Sequence, residues 1–98
     1  MIEQFEKLVA AGIELVPAAE IATHFIFRRG LYAALVERRG EGFGEIGSAG
    51  LLTERGLAPL VLRGERRVFV AKDFEREATD GEIREVLAFS ADLRTSLA

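Results

Sequence analysis

The sequence contains no cysteine, which excludes disulfides, thiolate metal sites and thiol nucleophiles, so packing alone must hold the fold. It has a single histidine, His24, so a metal would have to be held by carboxylates with at most one imidazole. No paired ligand spacing of that kind is present, and neither a metal nor a cofactor is implied. Long apolar runs are also missing. The longest, Leu31 to Val36, falls far short of the roughly 20 residues that a membrane helix needs. The opening MIEQFEKLVAAG places two glutamates before its first lysine and lacks an apolar signal core, so a soluble, cytoplasmic protein with no membrane partner is expected. An excess of positive charge is lacking as well. A net charge of −3 argues against nucleic acid as a partner, because phosphate affinity comes mainly from Lys and Arg.

What is present suits one globular domain over residues 1–98. Apolar residues make up 49% and charged residues 30%, enough of each for a core and a solvated surface. Ile2, Phe5, Leu8 and Val9 recur at helical spacing, with Gly12 placed to cap the helix end. Pro17 then breaks the pattern. Strands are expected at Ile21 to Arg28, Leu31 to Glu37, Leu57 to Arg63 and Arg66 to Lys72, with tight turns at Arg29-Gly30 and Gly64-Glu65. The Ala and Leu content of residues 31 to 37 also suits a helix. Phe43 to Arg55 reads either as a bent strand with bulges at Gly47 and Gly50 or as a short helix over LLTER. Thr79-Asp80-Gly81-Glu82 is a capping box that opens a last helix of about 17 residues. Ile83, Val86, Leu87, Ser90, Leu93 and Leu97 form its apolar stripe. The fold class is therefore α+β: a short N-terminal helix, an antiparallel β-meander of four or five strands, and a C-terminal helix packed on the sheet.

Catalytic patterns fail one after another, and no catalytic residue is assigned. Gly42, Gly44 and Gly47 match G-x-G-x-x-G, but the charged segment Glu37 to Glu41 precedes them and no helix long enough for a crossover follows, so they read as turn and bulge glycines. The VFVAK run, Val68 to Lys72, lacks every other protein-kinase motif. Ser48 has Ile46 where a nucleophile elbow needs glycine, and His24 precedes it in the chain. A minor enzymatic option pairs His24 with Glu20 or Glu45. Asp73, Glu75 and Glu77 share one face in extended chain and read as the wet side of an edge segment. The arginine pairs Arg28-Arg29, Arg38-Arg39 and Arg66-Arg67 put one guanidinium on each face of a strand. If they gather at one sheet edge, Arg28 and Arg66 with Tyr32, Lys72 and His24 form the best candidate site for an anionic ligand.

The apolar strands say more. THFIF, LYAALV, APLVL and VFVA are apolar at both parities, which marks a sheet shielded from water on both faces. Two helices supply part of that cover. If both lie on one face, the other needs a second molecule, and burying even about 600 Å² there would contribute roughly 15 kcal/mol before the entropy of association is subtracted. The expectation is a non-catalytic interaction or oligomerisation module, a homodimer through a sheet or helix face, with a small anion binder as the alternative.

Overall fold

The computed structural model describes residues 2–17 and 23–98. Helix α1 (Ile2–Ala10) stops where Gly12, at φ 74°, adopts a conformation that other residues resist. The N–H groups of Gly12 and Ile13 donate back to the carbonyls of Val9 (3.0 Å) and Leu8 (2.9 Å), the two bonds of a Schellman cap. That cap brings Ile13 beside Leu8, and both are buried in the core.

Among the described residues eight strands follow: β1 (Glu14–Val16), β2 (His24–Arg29), β3 (Tyr32–Arg39), β4 (Gly42–Ile46), β5 (Gly50–Thr53), β6 (Gly56–Arg63), β7 (Arg66–Ala71) and β8 (Phe74–Glu77). The last element is helix α2 (Asp80–Leu97). All strand pairings are antiparallel, in the order β1-β2-β3-β5-β6-β7-β8, with β4 alongside the far half of β3. The α+β class and both terminal helices agree with the sequence pattern. The strand number is higher than the expected four or five, for two reasons. Phe43 to Arg55 supplies two strands, β4 and β5, rather than one, and residues 51–55 form no helix. The edges β1 and β8, of three and four residues, are too short to show periodicity. The expected start of the second strand at Ile21, and Glu20 before it, lie outside the described residues. Residues 32–37 are strand and Leu31 is in the turn before them, because partners on both sides of β3 outweigh the helical preference of Ala and Leu.

The first hairpin turns at Gly30-Leu31, one residue later than expected, so Arg29 remains in β2 opposite Tyr32. Gly30 has φ 62°, the value a type II′ turn asks of its first residue. The bulge falls neither at Gly47 nor at Gly50. Val36 pairs with Ile46 and Arg38 with Phe43, so three steps along β4 answer two along β3. The extra residue puts Phe43 and Ile46 on the same face, where both meet the core. Farther on, β6 changes partner in mid-strand. Gly56 to Pro59 pair with β5 and Leu60 to Arg63 with β7. Pro59, which has no N–H to give a ladder, sits at that handover.

Strand pairing defines the two faces. Phe25, Phe27, Tyr32, Ala34, Val36, Ala58, Leu60 and Phe69 lie on one of them and join Leu8, Val86, Phe89 and Leu93 from the helices in a single core. Phe5 of α1 meets Phe43 edge-on at 5.9 Å, and Phe43 in turn touches Phe25 and Phe27. Arg29 fastens the same side: Nη1 donates to the Ala11 carbonyl (3.1 Å) and to Asp92 Oδ2 (2.7 Å), with the guanidinium over the Phe89 ring. Both helices therefore cover one face of a curled sheet. On α2 the buried residues are Val86, Phe89, Leu93 and Ser96, while Leu87 of the expected stripe is exposed. The helix is turned so that its large ring, Phe89, enters the core beneath the Arg29 guanidinium of β2.

The capping box forms with both of its bonds. Glu82 N–H donates to Thr79 Oγ1 (3.1 Å), and Thr79 N–H donates to Glu82 Oε1 (2.9 Å). Arg76 of β8 adds two bonds to the same carboxylate, at 3.0 and 2.7 Å. The Arg76 bonds first, then the Thr79 backbone bond, lower the Glu82 carboxyl from 4.5 to about 2. Its folded value lies below its unfolded one, so the stability it contributes is complete above pH 4.5 and drains away as pH falls towards about 2. Denaturant titrations should show Glu82→Gln less stable than the parent chain at neutral pH, with the gap closing across that acid window. Thr79→Ala should cost about 1 kcal/mol at neutral pH.

Candidate interaction surfaces

The five residues that the sequence suggests for an anion site do not meet. Arg28 and His24 lie on β2, on the face away from the helices, and Arg66 lies on that face of β7. From β2 through β3, β5 and β6 to β7 is four strand spacings, on the order of 19 Å along the sheet. Tyr32 points to the opposite face, and Lys72 sits in the turn between β7 and β8. Arg28 is already bonded to Glu14 Oε1 (2.7 Å), and Arg66 lies 3.8 Å from Glu77. The His24 ring contacts Thr23 Oγ1 at 2.9 Å and stands opposite Glu37 in the strand register.

Tyr32 is a fastening rather than an open site. Burial first, then the hydrogen bond and negative charge of Glu85, push its phenol up to about 12, so it stays a proton donor through the neutral range. Beside it, Arg76 and Glu82 tie β8 to the first turn of α2. The acids of 73–77 are likewise spoken for. Glu75 pairs with Arg63 and Glu77 with Arg66, while Asp73 lies in the turn before β8. Among the described residues no group of three or more His, Asp or Glu could hold a metal. The G-x-G-x-x-G glycines fall in and just after β4, with no helix behind them, so no phosphate cradle forms.

Two surfaces remain besides the exposed apolar side of α1 formed by Ile2, Phe5 and Val9. The first is the sheet face opposite the helices. Its centre is apolar: Ile26 on β2, Leu35 on β3, Pro59 and Val61 on β6, and Val68 and Val70 on β7. Ala33 and Val68 are buried even here, and the others are half-buried. Around them stand charged residues of both signs, the Glu14–Arg28 pair at one side and the Arg63–Glu75 and Arg66–Glu77 pairs at the other. Among the described residues no helix crosses this face. Both sheet edges are short, and β8 carries three charged residues in four, an arrangement that discourages strand addition at the edge. The second surface is a groove on the helix side, where α2 stands away from β6 and β7.

The apolar face was legible in strands that are hydrophobic at both parities. The groove was not, because it depends on which arginine of the pair 66–67 turns towards α2, and only the register of β6 against β7 decides that. No helix among the described residues is long and apolar enough to cross a membrane. No protein family, curated protein or solved structure matches this chain.

Proposed function

We propose that the chain is a non-catalytic interaction module that pairs with a second copy of itself across the open face of its sheet. One observation carries the reading: both helices pack on the same side, and among the described residues no layer covers the apolar centre formed by Ile26, Leu35, Val61, Val68 and Val70. An apolar centre inside a charged rim is the anatomy of a protein interface. The rim pairs are exposed, so they contribute little affinity and act mainly on register and partner choice. A two-fold axis through this face would set the same patch against itself, the commonest way for a chain to close an assembly.

Light scattering on the eluting protein tests this. The expected molar mass is twice the 10.8 kDa of one chain. Val61→Lys, in the middle of the patch, should return it to 10.8 kDa, whereas Leu62→Lys, one residue along and on the other face, should leave the pair intact. A parent chain that elutes at the single-chain mass at its highest soluble concentration overturns the proposal.

A further inference from the structure

The groove between α2 and strands β6 and β7 encloses about 310 Å³, near the lower end of the size that holds small ligands. Leu60 and Val86 line its inner part, and Ser48 and Ser90 add hydroxyls. Its two walls are unusual. Leu62 on β6 is 69% exposed and Leu87 on α2 is 52% exposed, although both belong to elements that otherwise bury their large apolar residues on this side. Beside them is Arg67, opposite Leu62 in the β6–β7 register and the only charged residue in the lining. Arg28, Arg29, Arg39, Arg63, Arg66 and Arg76 each have a carboxylate within ion-pair distance. Arg67, like Arg38, Arg55, Arg84 and Arg94, has none among the described residues, and of these it alone lines the groove.

We infer that this groove binds an amphipathic monocarboxylate, with the carboxylate on Arg67 and an aliphatic chain between Leu62 and Leu87. A guanidinium fork matches a carboxylate in bidentate fashion. One cation and no second basic residue in the lining favour a single negative charge over a phosphate monoester. The chain supplies what the leucines lack, an apolar surface that excludes water from both. Leu62, Leu87 and Arg67 face away from the proposed pairing surface, and Val61 alone belongs to both, so variants at the first three separate occupancy from pairing.

The probe is octanoate, titrated into the full chain and followed by amide chemical shifts. Saturable shifts should be confined to residues 48–49, 60–62, 67 and 86–90. Acetate, which lacks the chain, and octanol, which lacks the charge, should each bind about tenfold more weakly or worse. Arg67→Gln should lower octanoate affinity about tenfold and leave octanol unchanged; because Arg67 is exposed, its amide spectrum elsewhere should match the parent. Leu87→Ser should weaken both. The inference is overturned if octanoate does not saturate, if octanol binds as tightly, or if Arg67→Gln binds like the parent. It is also overturned if a short peptide ending in leucine occupies the groove where octanoate does not.

Discussion

Replacing Gly50 with alanine should destabilise the protein by at least about 3 kcal/mol, enough to leave a large unfolded fraction. A methyl carbon at this position would stand 2.6 Å from Pro59 Cα and 2.7 Å from the Ala58 carbonyl carbon, and closer still to the Ala58 oxygen. Carbon atoms in contact settle at about 3.5–4.0 Å, and these neighbours are backbone, which no rotamer change can move aside. Strand β6 would have to shift outward. That would strain the β5–β6 ladder at Gly50↔Pro59 and Leu51↔Ala58, and with it the bond from Leu60 N–H to the Ala49 carbonyl. Ala58, fully buried beneath, would lose its packing. Gly30→Ala is the comparison. Nothing lies within 4 Å of a methyl there, so its cost is limited to the backbone strain of φ 62°, about 1–2 kcal/mol. Urea midpoints of the two variants, converted with a common slope, should keep that order. If Gly50→Ala proves the milder change, β5 and β6 do not approach this closely.

The second large effect concerns the helix face. Phe89→Ala should cost about 3–5 kcal/mol, because the ring is almost wholly buried among the core residues and lies under the Arg29 guanidinium at 5.7 Å. Leu87→Ala, two residues earlier, should cost less than about 1 kcal/mol, since half of that side chain is already in water. For a chain of this size each kcal/mol moves the melting temperature by about 4–8 °C, so the two variants separate clearly in a thermal melt. The apolar spacing of the sequence ranks them the other way round, with Leu87 in the buried stripe. Equal melting temperatures would mean that α2 is turned as that spacing suggests.

This contrast shows where sequence reasoning reached its limit. The stripe from Ile83 to Leu97 correctly marked an amphipathic helix, but an apolar band broad enough to include Phe89 leaves its rotation open by part of a turn. The ring joins a core that also holds Phe27 and Phe69, residues some twenty to sixty positions away in the chain. The arginines behave alike. Alternation separates Arg66 from Arg67, yet it is the pairing of Leu62 with Arg67 that sends the second towards α2 and leaves the first on the rim of the open face. The proposed anion cluster of Arg28, Arg66, Tyr32, Lys72 and His24 did not assemble because β3, β5 and β6 lie between β2 and β7.

By itself the sequence determined the features that depend on a few consecutive residues: the Schellman cap at Gly12, the Thr79–Glu82 capping box, the Gly64-Glu65 turn, and the extended segments at His24, Tyr32, Gly56 and Arg66. It also determined that the central strands are apolar at both parities. These follow from backbone dihedrals, local hydrogen bonds and composition, which act within a turn of chain. Only the tertiary structure decided that both helices share one face, that β6 changes partner at Pro59, and that Gly50 is needed for a close strand crossing rather than for a bulge. Those outcomes depend on register and packing between segments far apart in the chain, where each contact is weak and the arrangement is selected by the sum.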